Sequence, residues 1–294
     1  MMFRLKLVPD QTSFGFIHFR KFAYAISLMG VIASIALFST KGLNYGIDFQ
    51  GGTMIEIGTD GPANISDIRS RLSALNLGDV QVQTFGAPDD VLIRVEQQGE
   101  VAENDLSAVE KIRAELGEGV EYRRVEVVGP KVSGELVEAG TLAVTVAIFL
   151  MLVYIWFRFE WQFGVGSVLA LAHDVLLTIG IFALFELEFN LSIIAAILTI
   201  VGYSMNDTVV VYDRIREDLR KYKKMDLAEL LNLSINGTLS RTTMTSLTTV
   251  IALAALYIFG GEVIRGFAFA MIWGVFVGTY SSIFVAAPLL LILG

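Results

Sequence analysis

Six stretches of this chain are apolar enough and long enough to cross a lipid bilayer: about Phe22–Phe38, Ala139–Phe157, Phe163–Phe185, Leu191–Tyr212, Met244–Phe259 and Phe267–Leu293. A crossing helix needs roughly 20 mostly apolar residues, because in hydrocarbon every backbone N–H and C=O must pair within the chain. The composition agrees, with 54% hydrophobic and 18% charged residues and a mean hydropathy of +0.62. An ordinary soluble protein carries about 25% charge. So much apolar surface exceeds what one core hides, and much of it must face lipid. The first stretch is too long and too far from the terminus to be a cleaved signal and lacks a small-residue cleavage site, so it reads as a retained helix. The last is long enough to tilt, and Pro288 is placed to bend it.

Lys and Arg in the short connections set the orientation. One side holds Arg4, Lys6, Arg20 and Lys21, then Arg158, then Arg214, Arg216, Arg220, Lys221, Lys223 and Lys224, with Arg241 at the mouth of the fifth span. On the other side, Glu186–Asn190 has no base and Gly260–Gly266 has only Arg265. The expected organisation is a cytoplasmic arm (1–21), a first transmembrane helix (22–38), an external domain (39–138) and a five-helix region (139–294) with a cytoplasmic loop at 213–243. Both termini are then cytoplasmic.

The chain has no cysteine, which excludes disulfides, thiolate metal sites and cysteine nucleophiles. Its two histidines, His18 and His173, are little material for a metal centre. A net charge of −8 argues against a nucleic-acid partner. There is no phosphate-binding Gly-x-x-x-x-Gly-Lys-Ser/Thr loop, so any work is driven by an ion gradient or a partner. We expect no cofactor, no metal and no enzyme.

The insertion between the first two spans alternates between strand and helix patterns. Thr53–Ile57 reads as a strand and Ile65–Leu77 as an amphipathic helix. Val80–Phe85 and Val91–Glu96 read as strands around a Gly86–Asp90 turn, Glu103–Leu116 as a helix and Val120–Val128 as a last strand. The order β-α-β-β-α-β is that of a ferredoxin-like α+β domain. From Lys41 to Glu138 there are nine basic and 18 acidic residues, a charge of −9, so this domain accounts for the acidity of the chain.

Ionisable groups inside the spans are costly, about 2.5–3.5 kcal/mol each on insertion scales, and are kept for a task. His173 and Asp174 lie near the middle of the third span. Asp207 lies near the cytoplasmic end of the fourth and Arg241 at the start of the fifth, so Asp207 and Arg241 are expected within reach of each other. Around them stand Tyr203, Ser204, Asn206, Thr208, Thr242, Thr243, Thr245, Ser246 and Thr248. Two readings stand for this seam: a wet path for protons, or a static ion pair and polar cluster that fasten helices together. Gly164–Gly166, Gly202 and Gly274–Gly278 suggest close helix packing.

Five motifs, in order, resemble the SecD/SecF family of the RND superfamily, on its SecF side. They are Gly46-Ile47-Asp48-Phe49-Gln50-Gly51-Gly52, Val128-Gly129-Pro130-Lys131-Val132-Ser133-Gly134-Glu135-Leu136, Leu171-Ala172-His173-Asp174-Val175, the run Gly202 to Glu217 with Tyr203, Asn206 and Asp207, and Thr238-Leu239-Ser240-Arg241-Thr242. The resemblance implies six spans forming half of an RND-type transporter in a bacterial inner membrane. It implies a partner SecD, the SecYEG channel and a translocating preprotein, with YajC and YidC as further partners. The implied activity is use of the proton motive force to assist late preprotein translocation, after SecA-driven export. Asp207 and Arg241 take the family's proton-passage role residue by residue; Asn206, Tyr203, His173 and Asp174 match motifs without an assigned role. Gln50 stands where the family is variable or hydroxyl-bearing. The sequence ends at Gly294 without the charged tail the family leads one to expect, as in a shortened or short member. The competing readings are a small-molecule or lipid exporter half of the same superfamily, and a passive scaffold.

Overall fold

The computed structural model describes residues 9, 12–75, 77–95 and 102–294, the side chains of 102–107, 118, 130 and 262 excepted. The elements run α1 (Arg20–Lys41), β1 (Asn44–Tyr45), α2 (Ile47–Gln50), β2 (Gly52–Thr59), α3 (Ile65–Ser73), β3 (Val80–Phe85), β4 (Ala87–Val95), α4 (Ala102–Leu116) and β5 (Val120–Val128). They continue with α5 (Pro130–Arg158), α6 (Trp161–Phe185), β6 (Glu188–Phe189), α7 (Leu191–Lys221), α8 (Leu227–Phe259), α9 (Glu262–Ser281) and α10 (Ala287–Leu293). A 3-10 turn, Phe16–Phe19, precedes α1, and a π-helical turn, Ser282–Ala286, separates α9 from α10. Arg4, Lys6 and the expected strand end at Glu96 lie outside the described residues. The chain divides into two compact units: 1–44, 144–187 and 192–294 form one, and 45–143 with 188–191 the other.

The smaller unit is a four-stranded antiparallel sheet in the order β3-β4-β2-β5. Period-2 alternation aims Ile55 and Ile57 of β2, Val91 and Ile93 of β4 and Val80 and Val82 of β3 at one face. Ile68 and Leu72 of α3 and Ile112 of α4 close over that face and are buried with them. Each fully buried aliphatic side chain contributes about 1.5–3 kcal/mol of transfer free energy. A smaller cluster of Ile47, Met54 and Leu92 occupies the opposite face.

Two of the boundaries differ clearly from the sequence reading. The expected Gly86–Asp90 turn is a hairpin pivoting on Gly86 alone, at φ +80°, with Phe85 paired to Ala87. Pro88, Asp89 and Asp90 read as turn residues, yet Asp90 pairs with Gly58 in the ladder and forms an ion pair with Arg123. The helix expected over Ile65–Leu77 ends at Ser73, and Leu77 reaches the core from the loop beyond it. Gly51 and Gly52 both take positive φ, 72° and 112°, which lets the chain leave α2 and enter β2 directly.

Loop residues 188–191 belong to this unit. Glu188 pairs with Arg94 at 2.7 Å, Phe189 O accepts from Gly46 N–H at 2.8 Å, and Asp48 accepts from Leu191 N–H at 2.9 Å.

The larger unit holds most of the apolar helices, with α5 entering it at residue 144; among the described residues six helices are long and apolar enough to span a bilayer. In α7 the buried residues Ile193, Ala196, Ile200, Ser204, Asp207, Val211 and Ile215 recur every three or four positions, one face of a helix turned inward. Close approach is set by glycine: a Cβ on Gly180 would collide with Ser34 of α1, and one on Gly274 with Ile200 of α7. Gly202, expected to pack closely, lies on the exposed face, where a side chain would meet no atom within 4 Å. The most apolar window of α5 is wholly unburied and that of α8 is 6% buried, so both helices present surface to lipid or to another chain.

The loop expected at 213–243 is largely helical. α7 continues to Lys221 and α8 begins at Leu227, capped by the Asp226 carboxylate on Ala228 N–H at 3.0 Å. Ile215, Leu230, Leu231 and Ile235 of the extension are buried in one apolar cluster with Phe159, Tyr212 and Leu290 of the bundle. Within it the fully buried Asp218 accepts from Ser234 at 2.8 Å and from Arg214 at 3.1 Å. A hydropathy window sees only the segment in lipid, and these helices keep their hydrogen bonding outside it. At the other end of the bundle sequence, the π-helical turn stands just before Pro288, whose missing N–H and ring forbid a regular turn there. Tyr212 donates to Ala286 O at 3.0 Å, capping a carbonyl of that turn.

Candidate functional site

The polar seam is assembled from four helices. α6 supplies the consecutive pair His173 and Asp174, both buried. His173 Nδ1 lies 2.8 Å from one oxygen of Asp174. The other oxygen accepts from Ser204 of α7 at 2.5 Å and from Ser281 of α9 at 2.7 Å. One helical turn beyond Ser204, on the same buried face, stands Asp207. Its carboxylate accepts from Thr242 of α8 at 2.8 Å and, on the other oxygen, from Ser282. The two carboxylates are therefore joined through neighbouring hydroxyls: Ser281 serves Asp174 and Ser282 serves Asp207.

A hydroxyl can donate to a charged carboxylate or accept from a neutral one. The same partners thus serve either protonation state, which a fixed cation would not. The seam extends sideways through Tyr203, whose hydroxyl donates to Ser246 at 3.3 Å, and through Ser246 to Thr279 at 2.7 Å. His173 stacks on Tyr280 with centroids 6.0 Å apart, and its Nε2 is buried without a hydrogen-bond partner. Tyr280 in turn donates to Ala23 O at 2.9 Å and bonds Ser27 at 3.0 Å, tying the last span to α1.

The expected meeting of Asp207 and Arg241 does not occur as an ion pair. Arg241 is exposed on α8, and its neighbour Thr242 makes the contact to Asp207. The reason is rotational: consecutive helix residues diverge by about 100°, and Thr242 is the one turned inward. Asn206 is likewise exposed, beside Asp207 in sequence but turned away from it by the same rotation on α7. Arg241, Thr245 and Thr248 of α8, with Gly202 and Asn206 of α7, are thus small or polar residues at the outer surface of an apolar bundle.

Ser281, Ser282 and Thr279 went unread in the sequence. They lie inside the longest apolar stretch, where a hydroxyl is unremarkable. The signal available was the adjacency of two hydroxyls nearly two turns before Pro288. Among the described residues no group of three or more His, Asp or Glu side chains is placed to hold a metal ion.

An inserted α+β domain and a multi-helix bundle with two hydroxyl-bridged carboxylates define a multi-pass membrane protein that carries an ionisable device within its spans. The family model "Protein export membrane protein SecD/SecF, C-terminal" matches residues 108–294, and "SecD/SecF GG Motif" matches residues 36–63. The protein translocase subunit SecF of Vibrio alginolyticus is 46% identical, over 98% of this chain and 92% of that protein. The SecF of Rickettsia felis is 45% identical, over 98% of this chain and 94% of its own. The crystal structure of SecDF from Thermus thermophilus, a translocon-associated membrane protein, superposes with a TM-score of 0.88 at 38% identity. It covers 97% of this chain, and the chain spans 39% of the SecDF chain. A SecDF structure in a super-membrane-facing form gives 0.70 at the same 38% identity. The chain belongs to the SecD/SecF family, among its SecF members, which are membrane subunits of protein translocation and not enzymes.

Proposed function

We propose that this chain is one half of a SecDF-type unit. It pairs with a SecD half and uses the proton motive force to help draw preproteins through the SecYEG channel after SecA-driven export. The observation that carries this reading is the pair of buried carboxylates, Asp174 and Asp207, linked through adjacent serines of a single helix. A proton gained or lost at either acid changes the hydrogen bonds made to that helix, at the π-helical turn that begins with Ser282. A proton moving down 100 mV makes about 2.3 kcal/mol available. That is enough to favour one of two closely balanced helix arrangements over the other.

The second half of the reading rests on the polar outer surface. Arg241 and Asn206 are poor residues to leave against lipid. A complementary half seated on α7 and α8 would cover them and bring Arg241 into the seam that this chain leaves incomplete. The SecDF chain, of which this chain matches 39%, is long enough to contain such a half. The excess of Lys and Arg at the ends of α5 and α7 supports an orientation with both termini in the cytoplasm and the α+β unit outside.

The test is Asp207→Asn in a reconstituted export assay with the gradient imposed. The expected result is a folded protein that still co-purifies with its SecD half, while gradient-dependent export falls to the rate seen without a gradient. Export at the wild-type rate would remove Asp207 from the mechanism.

A further inference from the structure

A second charged constellation lies at the end of the bundle where α5 stops and α7 passes out of the apolar zone. Arg158, Asp213, Arg216, Glu217, Arg220 and Lys221 line an open cavity of about 600 Å³. Its acids are already engaged. Asp213 accepts two hydrogen bonds from Arg158, at 2.6 and 2.5 Å, and lies 3.7 Å from Arg216; Glu217 pairs with Arg214 at 3.1 Å. Both Arg158 and Arg216 also lie over the ring of Phe159, at 5.1 and 5.8 Å, so their guanidinium groups are held in place. Arg220 and Lys221 have no carboxylate within ion-pair distance among the described residues. Four cations against two acids leave a net positive cavity whose arginines are partly ordered beforehand.

Its depth is marked by Trp156 and Trp161, 81% and 62% exposed, on either side of Arg158. Tryptophan at a helix end favours the headgroup layer. Phe157 and Leu219, next in sequence to the lining residues Arg158 and Arg220, are also exposed. A soluble phosphate would use only the cations; a lipid would use the apolar flank as well.

We infer that this cavity binds the phosphate headgroup of an anionic phospholipid from the adjoining leaflet, with its acyl chains against the Trp156–Phe157 end of α5. Arg216, Arg220 and Lys221 supply the charge-assisted donors, and Asp213 and Phe159 hold the arginines in position. The site is independent of the proton-coupling reading.

The chain's three tryptophans provide the assay, because Trp273 lies elsewhere, in α9. The purified protein is reconstituted in phosphatidylcholine vesicles containing a small fraction of brominated phosphatidylglycerol, or the same fraction of brominated phosphatidylcholine. Anionic lipid is expected to quench Trp156 and Trp161 more strongly than the zwitterionic lipid does, with Trp273 equal in both. R220Q/K221Q should weaken the apparent affinity about thirtyfold, as two surface cations warrant. K223Q/K224Q removes the same charge from outside this cavity and should change it less than about twofold. Equal loss in the two variants, or equal quenching by the two lipids, overturns the proposal. Inorganic phosphate that abolishes the difference at ordinary ionic strength would overturn it too, marking a site for free anions.

Discussion

The α+β unit and the polar seam inside the helical unit treat their charges in opposite ways. In the α+β unit, cations meet carboxylates directly: Arg71 with Glu115 at 3.0 Å, Arg94 with Glu188 at 2.7 Å, and Arg123 with Asp90. In the helical unit, the buried acids Asp174 and Asp207 meet hydroxyls and one imidazole, and the nearest candidate cation, Arg241, stands outside. An ion pair locks one protonation state in place, whereas a hydroxyl cage accommodates two. The first arrangement suits a module that only needs to stay folded, and the second a site whose charge changes during work.

The largest effect that sharpens this contrast belongs to the apolar core. Ile93→Ala is expected to destabilise the α+β unit by about 2–5 kcal/mol, read as a lowered melting transition. If the helical transition moves by the same amount, the two units are not separate cooperative bodies. Next comes Ser282→Ala, which removes a donor to a buried carboxylate. The expected cost is about 1–3 kcal/mol, measured in detergent by thermal melting, together with a displaced pH profile of gradient-dependent export. A stability loss with an unchanged pH profile would reduce Ser282 to a helix fastener. Arg71→Ala, by contrast, breaks a half-exposed ion pair and should cost less than about 1 kcal/mol, with export unaffected.

The smallest effect is a pH signature at the C-terminal end of α6. Lys41 lies 2.9 Å from Glu186, and its hydrogen bond and charge hold the Glu186 carboxyl below the usual carboxylate range. A depressed folded value means a contribution present above the unfolded value of about 4.3 and lost as pH falls through the folded one. Lys41→Gln should return the Glu186 titration to the ordinary range, as followed by NMR of labelled glutamate. An unchanged titration would show that the pair contributes nothing in solution.

Much of this architecture was legible in residue order. The six spans follow from runs of apolar side chains, and β5 was read at its observed limits, Val120–Val128. What escaped is instructive. The 213–243 segment carries too many charges for a span, yet α7 and α8 continue into it around Asp218 and Ile235, buried by each other and not by lipid. Arg241 and Thr242 are adjacent letters, and only helix rotation separates the exposed cation from the inward hydroxyl. Ser281 and Ser282 gain their meaning from Asp174 and Asp207, more than 70 residues earlier in the chain.

Residue order alone settled that this chain enters a membrane, how many times, and where a folded polar module interrupts it. Those outcomes depend on the transfer of local segments from water, a sum over neighbours in sequence. Which acid meets which hydroxyl, and which cation is left at the surface, was decided by the packing of α6, α7, α8 and α9. Hydrogen bonds reach only about 3 Å, so they answer to the azimuth of each helix and not to the company a residue keeps along the chain.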